Sequence, residues 1–192
     1  MRVITGKYKG RHFDVPRTFK ARPTTDFAKE NIFNVLQGYV DFEEEETMAL
    51  DLFAGTGSIT LELLSRGCKQ VISVEKEPLH CRFINQFLKQ LGAENAIVLR
   101  ANALHYINNS RASSFDFIFA DPPYNLPELP LLPDLIFKQS PSDSTATSDG
   151  TSTILKPGGL FVLEHGHTND FSSHPHFIEH RAYGSVNFSL FR

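Results

Sequence analysis

From Met48 onward, short apolar runs alternate with stretches whose apolar residues recur every three or four positions. MALDLF, QVISVE, AIVLRA and FDFIFA have the length and composition of buried strands. Helices are predicted between them: one ending at Arg66, one from Pro78 to Leu91, and a short one after AIVLRA. Gly67 and Gly92 fall where helix C-caps belong, and Pro78 falls in a first turn that tolerates proline. Strand character returns at GLFVLEH and then in FIEHRAY and VNFSLF, which Gly184-Ser185 separates as a terminal antiparallel hairpin. The pattern predicts an α/β fold with a mostly parallel seven-stranded sheet and helices on both faces.

The two ends of this alternation differ from its middle. Residues 3–15, VITGKYKGRHFDV, have the pattern of two short strands about a Gly/Lys-rich connection, a hairpin arm, and Pro16 and Pro23 bracket an extended linker. The segment TTDFAKENIFNVLQG then predicts a helix with Phe27, Ile32, Phe33, Val35 and Leu36 on its apolar face and Gly38 at its end. Glu43 to Glu46 read as a solvated loop. After Asp121 the pattern loosens through Pro127, Pro130 and Pro133 into residues 139–153, where nine of fifteen are Ser or Thr; this segment is expected to be a mobile surface insertion. The expected division is a basic arm over residues 1–22 and one domain over 23–192.

Composition adds limits. A chain of 192 residues with 41% hydrophobic content suits a single core. No apolar run approaches a membrane span and the start has no signal-peptide pattern, so a cytoplasmic protein is expected; a monomer is the separate expectation for its assembly. Cys68 and Cys81 form no CxxC pair, and His165, His167, His174, His176 and His180 have no ligand spacing. No metal is expected, and these histidines read as surface or packing residues. The net charge of -3 is unevenly spread. Arg2, Lys7, Lys9, Arg11, Arg17, Lys20 and Arg22 stand against Asp14 alone in the first 22 residues, a basic arm on an acidic body. Such an arm suits phosphate neutralisation.

Chemistry concentrates at two strand ends. MALDLF runs into Ala54-Gly55-Thr56-Gly57, whose glycines let the backbone turn tightly beside a ligand. Asp51 precedes this loop and Glu75 ends the next strand, where its carboxylate can accept two ribose hydroxyls. Asp51 can fix the loop and reach an ammonium at the amino-acid end of S-adenosylmethionine. Thr60 replaces the third glycine of a dinucleotide fingerprint, which disfavours NAD. At the end of FDFIFA stands Asp121-Pro122-Pro123-Tyr124. An exocyclic base amine is a poor nucleophile because its lone pair is delocalised into the ring. Acceptors on its two hydrogens, the Asp121 side chain and the Pro122 carbonyl, hold that lone pair toward a methyl donor. Pro123 stiffens the turn, and Tyr124 offers a stacking face to a base taken out of its stack.

The segment Asp51-Leu52-Phe53-Ala54-Gly55-Thr56-Gly57 resembles the first motif of class I methyltransferases, with Glu75, followed by Lys76, at their acidic ribose-binding position and Asn102-Ala103 at their adenine-binding position. Asp121-Pro122-Pro123-Tyr124 resembles the signature of amino-methyltransferases. Arg2-Val3-Ile4-Thr5-Gly6-Lys7-Tyr8-Lys9-Gly10-Arg11, Arg22-Pro23-Thr24-Thr25-Asp26 and Glu30-Asn31-Ile32-Phe33-Asn34 extend the likeness. Together they resemble the bacterial RsmD family, the 16S rRNA (guanine-N2)-methyltransferases, over nearly the whole chain. The resemblance implies a class I, Rossmann-like fold, S-adenosylmethionine as cofactor, and a guanine N2 of 16S rRNA in the small ribosomal subunit as target. It also implies that Arg2, Lys7, Lys9, Arg11 and Arg22 engage RNA and that Thr24 lies near the cofactor. Two other readings stay open on the residues alone: a DNA adenine-N6 or protein glutamine methyltransferase, and a noncatalytic RNA-binding assembly factor.

Overall fold

The computed structural model describes residues 1–19, 25–43, 46–110, 114–137 and 153–192. Its elements are α1 (Asp26–Leu36), β1 (Met48–Leu52), α2 (Ser58–Arg66), β2 (Gln70–Glu75), α3 (Pro78–Leu91), β3 (Ala96–Arg100), α4 (Ala103–Asn109), β4 (Phe115–Ala120), α5 (Leu132–Phe137), β5 (Leu155–His165), β6 (Phe177–Tyr183) and β7 (Val186–Phe191). The strands form one sheet in the order β3-β2-β1-β4-β5-β7-β6. β1 to β5 run parallel, and β7 lies antiparallel between β5 and β6. The chain winds outward from β1 to β3 and then returns to β4 on the other side of β1. Ligands of open α/β sheets bind at the carboxyl ends of strands where the order reverses, and here that point lies between β1 and β4.

Alternation along the strands feeds two cores. Ala49, Phe117, Phe119, Leu160 and Val162 face one side with Ile32 and Phe33 of α1, Leu61 of α2, and Ile84 and Phe87 of α3. Leu50, Ile118, Ala120, Phe161 and Leu163 face the other with Ile107 of α4 and Ile136 of α5. Each Val, Leu, Ile or Phe side chain among them contributes about 1.5–3 kcal/mol by leaving water. Thr25 caps α1 by accepting the Ala28 N–H at 3.1 Å. α2 and α3 end on Gly67 and Gly92, as their sequence position predicts.

The arm departs from its expectation. Residues 1–13 pair through a single antiparallel bridge, Arg2 to His12, instead of two strands. Val3 N–H donates to the Arg11 carbonyl, Gly10 N–H to the Val3 carbonyl and Phe13 N–H to the Met1 carbonyl, each at 3.0 Å, while Ile4, Thr5, Lys7 and Tyr8 donate to the body. The wholly buried Glu62 of α2 accepts the N–H groups of Ile4 at 2.9 Å and Thr5 at 3.1 Å. Lys7 N–H donates to the Ser65 carbonyl at 2.7 Å and Tyr8 N–H to Ser65 Oγ at 2.9 Å. Lys29 of α1, itself buried, donates to the Arg2 carbonyl at 2.6 Å and Ser58 Oγ at 3.0 Å. A backbone N–H bonded to a helix is unavailable to a facing strand, so the arm's antiparallel pairing is confined to its remaining donors and stops short of two regular strands. A second difference lies after Asp121, where a single 3-10 turn, Leu129–Leu131, leads into α5. Pro130 and Pro133 occupy the early positions of these turns, where a missing N–H costs nothing. The expected insertion at 139–153 lies outside the described residues except for Thr153. Among the described residues, no helix is long and apolar enough to cross a membrane.

Candidate functional site

The glycine loop is held by two bonds to the end of β2. Ala54 N–H donates to the Val74 carbonyl at 3.0 Å, and Gly55 N–H donates to Glu75 Oε2 at 2.8 Å. Glu75 Oε1 accepts the Glu77 N–H at 2.7 Å. Phe53 has φ of 59°, the one non-glycine residue with positive φ among those described. That conformation costs roughly 1–2 kcal/mol and is typical of ligand-binding turns. Gly57, at φ 76°, is the N-cap of α2 and supplies no side-chain cap. A Cβ there would meet Ile84 Cγ1 at 2.8 Å and Phe87 Cζ at 2.9 Å. Gly57 is thus required by the packing of α3 as well as by the turn.

Asp51 works beneath this loop. Its Oδ2 accepts the Thr60 N–H at 2.9 Å and the Thr60 hydroxyl, which also lies 2.7 Å from Ser73 Oγ. Only 1% of Asp51 is exposed. Burial pushes its carboxyl up to about 7, against the lowering effect of Thr60, and Glu75 adds to the rise. These bonds tie the end of β1 to the first turn of α2, just after the loop. Thr56 and Ala54 are buried within the loop, and Lys76 is exposed after Glu75. Asn102 is the N-cap of α4, its Oδ1 accepting from Leu104 N–H at 2.9 Å and His105 N–H at 3.2 Å, with Ala103 buried behind it.

The second cluster abuts the first. Asp121 N–H donates to the Leu52 carbonyl at 3.3 Å, joining the exit of β4 to the last residue of β1. Burial, then the charges of Glu164 and Asp51, hold the Asp121 carboxyl well above its usual value. Pro122 is buried and Pro123 exposed. Tyr124 remains 46% exposed, and its hydroxyl donates to Glu164 Oε1 at 3.1 Å. Burial, followed by Glu164 and Asp121, raises the phenol, which keeps it a donor.

Sequence reasoning singled out neither Glu164 nor His80. Both lie at the sheet edge: Glu164 in β5, and His80 in α3 with Nδ1 3.7 Å from Glu75 Oε1. The signal available for Glu164 was an acidic residue ending an apolar strand, as in QVISVE. Arg2, Lys7, Lys9 and Arg11 are all exposed on the docked arm, whereas Arg22 and Thr24 lie outside the described residues. Tyr8, in contrast, is buried against the body. His165 is buried between Ser189 Oγ at 2.9 Å and the Gly166 carbonyl at 2.8 Å, a packing role. Among the described residues no group of three or more His, Cys, Asp or Glu is arranged to hold a metal.

The family described as conserved hypothetical protein 95 matches residues 1–192, the whole chain. The chain belongs to this family, that of the RsmD methyltransferases. A putative rRNA methyltransferase, YlbH of Bacillus subtilis, is 38% identical to this RsmD-family chain over 168 residues, 86% of the chain and 82% of the relative. Ribosomal RNA small subunit methyltransferase D of Escherichia coli K12 is 32% identical over 124 residues, 65% of the chain and 60% of the relative. A solved structure of the putative methyltransferase yhhF from Escherichia coli superposes with a TM-score of 0.77 at 25% identity, covering 100% of this chain and 96% of that one. RsmD-family membership implies a methyl donor.

Proposed function

We propose that the chain transfers a methyl group from S-adenosylmethionine to the exocyclic N2 of a guanine in 16S rRNA, acting as a cytoplasmic monomer on the small ribosomal subunit. The observation that carries this reading is the bond from Asp121 N–H to the Leu52 carbonyl, which sets Asp-Pro-Pro-Tyr against the glycine loop at the switch point. The relatives named as ribosomal RNA methyltransferases support rRNA as the substrate class.

The residues fit the cofactor. Glu75 receives two backbone N–H groups, and a carboxylate has about four acceptor positions, so two remain for the two hydroxyls of a ribose. The N-terminus of α2, where Gly57 brings no side-chain cap and Asp51 holds only the Thr60 N–H, suits a carboxylate. Asn102, its oxygen committed to α4, offers amide hydrogens to a ring nitrogen of adenine. When bound, S-adenosylmethionine supplies an electrophilic methyl group.

The chain does the rest by position and electrostatics. Asp121 and the Pro122 carbonyl accept the two hydrogens of the amine and turn its lone pair toward the cofactor side. Tyr124 stacks the extruded base, worth about 1–3 kcal/mol. The amine must lose a proton as its new N–C bond forms. Asp121, whose proton affinity is raised by burial, is the acceptor. Arg2, Lys7, Lys9 and Arg11, all exposed, neutralise phosphates of the RNA together with Arg22.

Asp121→Ala is expected to abolish methyl transfer, by at least about 100-fold, while S-adenosylmethionine binding persists in calorimetry. An equal loss of cofactor binding would remove Asp121 from the role assigned to it.

A further inference from the structure

Glu164 is the carboxylate at this edge that no motif marks, and it is 3% exposed. Ala120 of β4 pairs with Leu163 of β5, so Asp121 and Glu164 come next on two adjacent parallel strands, whose backbones lie about 4.8 Å apart. Tyr124 reaches back to donate its hydroxyl to Glu164 Oε1 at 3.1 Å. Its ring rests against Gly166, where a Cβ would come within 3.3 Å of Tyr124 Cδ2. Glu164 is therefore surrounded by the residues that hold the amine and the face of the base. Tyr124 is a donor to that carboxylate, which has about four acceptor positions and so admits more than one donor, that of a base included.

Two neighbouring carboxylates suit one base edge and oppose another. Guanine carries N1–H directly beside its exocyclic amine, a row of donors. Adenine carries a bare N1, an acceptor, beside its own. We infer that Glu164 accepts the N1–H of the target base and thereby selects guanine, an inference resting on the reading that guanine N2 is the methylated group. Asp121 and the Pro122 carbonyl then hold the amine, and Glu164 reads the atom next to it. A buried acceptor left facing another acceptor is costly, so the selection works mostly by rejection. Acceptance of N1–H also pushes electron density toward N2, which favours attack by the amine.

2-Aminopurine separates these roles because it keeps the exocyclic amine and lacks N1–H. Small-subunit rRNA carrying guanine or 2-aminopurine at the methylated position, assembled into 30S particles, is assayed with labelled S-adenosylmethionine. The wild type is expected to favour guanine by on the order of 100-fold or more in kcat/KM. Glu164→Gln, whose amide can donate to a bare N1, is expected to bring that ratio within about tenfold. A purely structural role would lower transfer to both substrates alike. A wild-type ratio near one overturns the inference without any variant, as does an unchanged ratio in a Glu164→Gln protein that still binds S-adenosylmethionine. Failure of the wild type to methylate guanine at all is a different result, and it defeats the parent reading together with the inference.

Discussion

Glu75 Oε2 accepts the Gly55 N–H at 2.8 Å, so the carboxylate that ends β2 restrains the loop that leaves β1. The same group is the proposed ribose acceptor, and the two tasks can be separated. Glu75→Gln keeps one acceptor oxygen and loses the charge. It is expected to weaken S-adenosylmethionine binding about 10- to 100-fold in calorimetry, the loss of about one charged hydrogen bond, with a small change in unfolding midpoint. Unchanged affinity would take Glu75 out of the cofactor site.

Gly57→Ala tests the packing of the loop. The new Cβ meets Ile84 and Phe87 below 3.0 Å on a backbone at φ 76°. Overpacking and the left-handed backbone together are expected to cost about 2–4 kcal/mol in urea unfolding. A cost below about 0.5 kcal/mol would show that α3 shifts freely away from the loop.

The arm divides into a docked backbone and exposed charges. At Gly6 a Cβ would fall 1.8 Å from the Ser65 carbonyl oxygen, so Gly6→Ala is expected to undock the arm and weaken rRNA binding at every salt concentration. Replacing Lys7, Lys9 and Arg11 with Ala leaves the docking bonds, which are made by backbone atoms of this segment, in place. That variant should unfold as the wild type does and lose about two to three from the slope of log affinity against log salt. An unchanged slope would place the arm off the RNA.

How much of this was legible in the sequence follows the range of the forces involved. α3 begins at Pro78 and ends at Leu91 as its periodicity predicts, because its cap, first-turn proline and apolar spacing are all local. The strands were legible for the same reason. The helix α5 was hidden by prolines that mark a loop in a sequence and a first turn in the structure. The arm's docking was hidden because Glu62 and Ser65 meet Ile4 and Tyr8 from 57 to 58 residues away. Asp121 could be singled out from its own tetrapeptide. Glu164 ends an apolar run, as Glu75 does, but acquires its place beside Asp121 only from the β4–β5 register and from Tyr124, which the local pattern does not carry.

Asp51 sets a pH dependence. Its carboxyl titrates near 3.8 when unfolded and about 7 when folded. Between those values the folded protein binds the extra proton, so this group's contribution falls as pH rises from about 4 to about 7 and is constant above. The loss is on the order of a few kcal/mol. Asp51→Asn removes it, and its unfolding free energy is expected to fall less than that of the wild type between pH 4.5 and pH 7.5, roughly the window just given. Parallel pH profiles for the two proteins would contradict the burial assigned to Asp51.

The central claim is tested most directly by transfer of a labelled methyl group from S-adenosylmethionine to unmodified 30S subunits, naked 16S rRNA and DNA, with nucleoside analysis of each product. The account predicts N2-methylguanosine from the 30S subunits and none from DNA. Label in adenine of DNA, in protein glutamine, or in no substrate would contradict it.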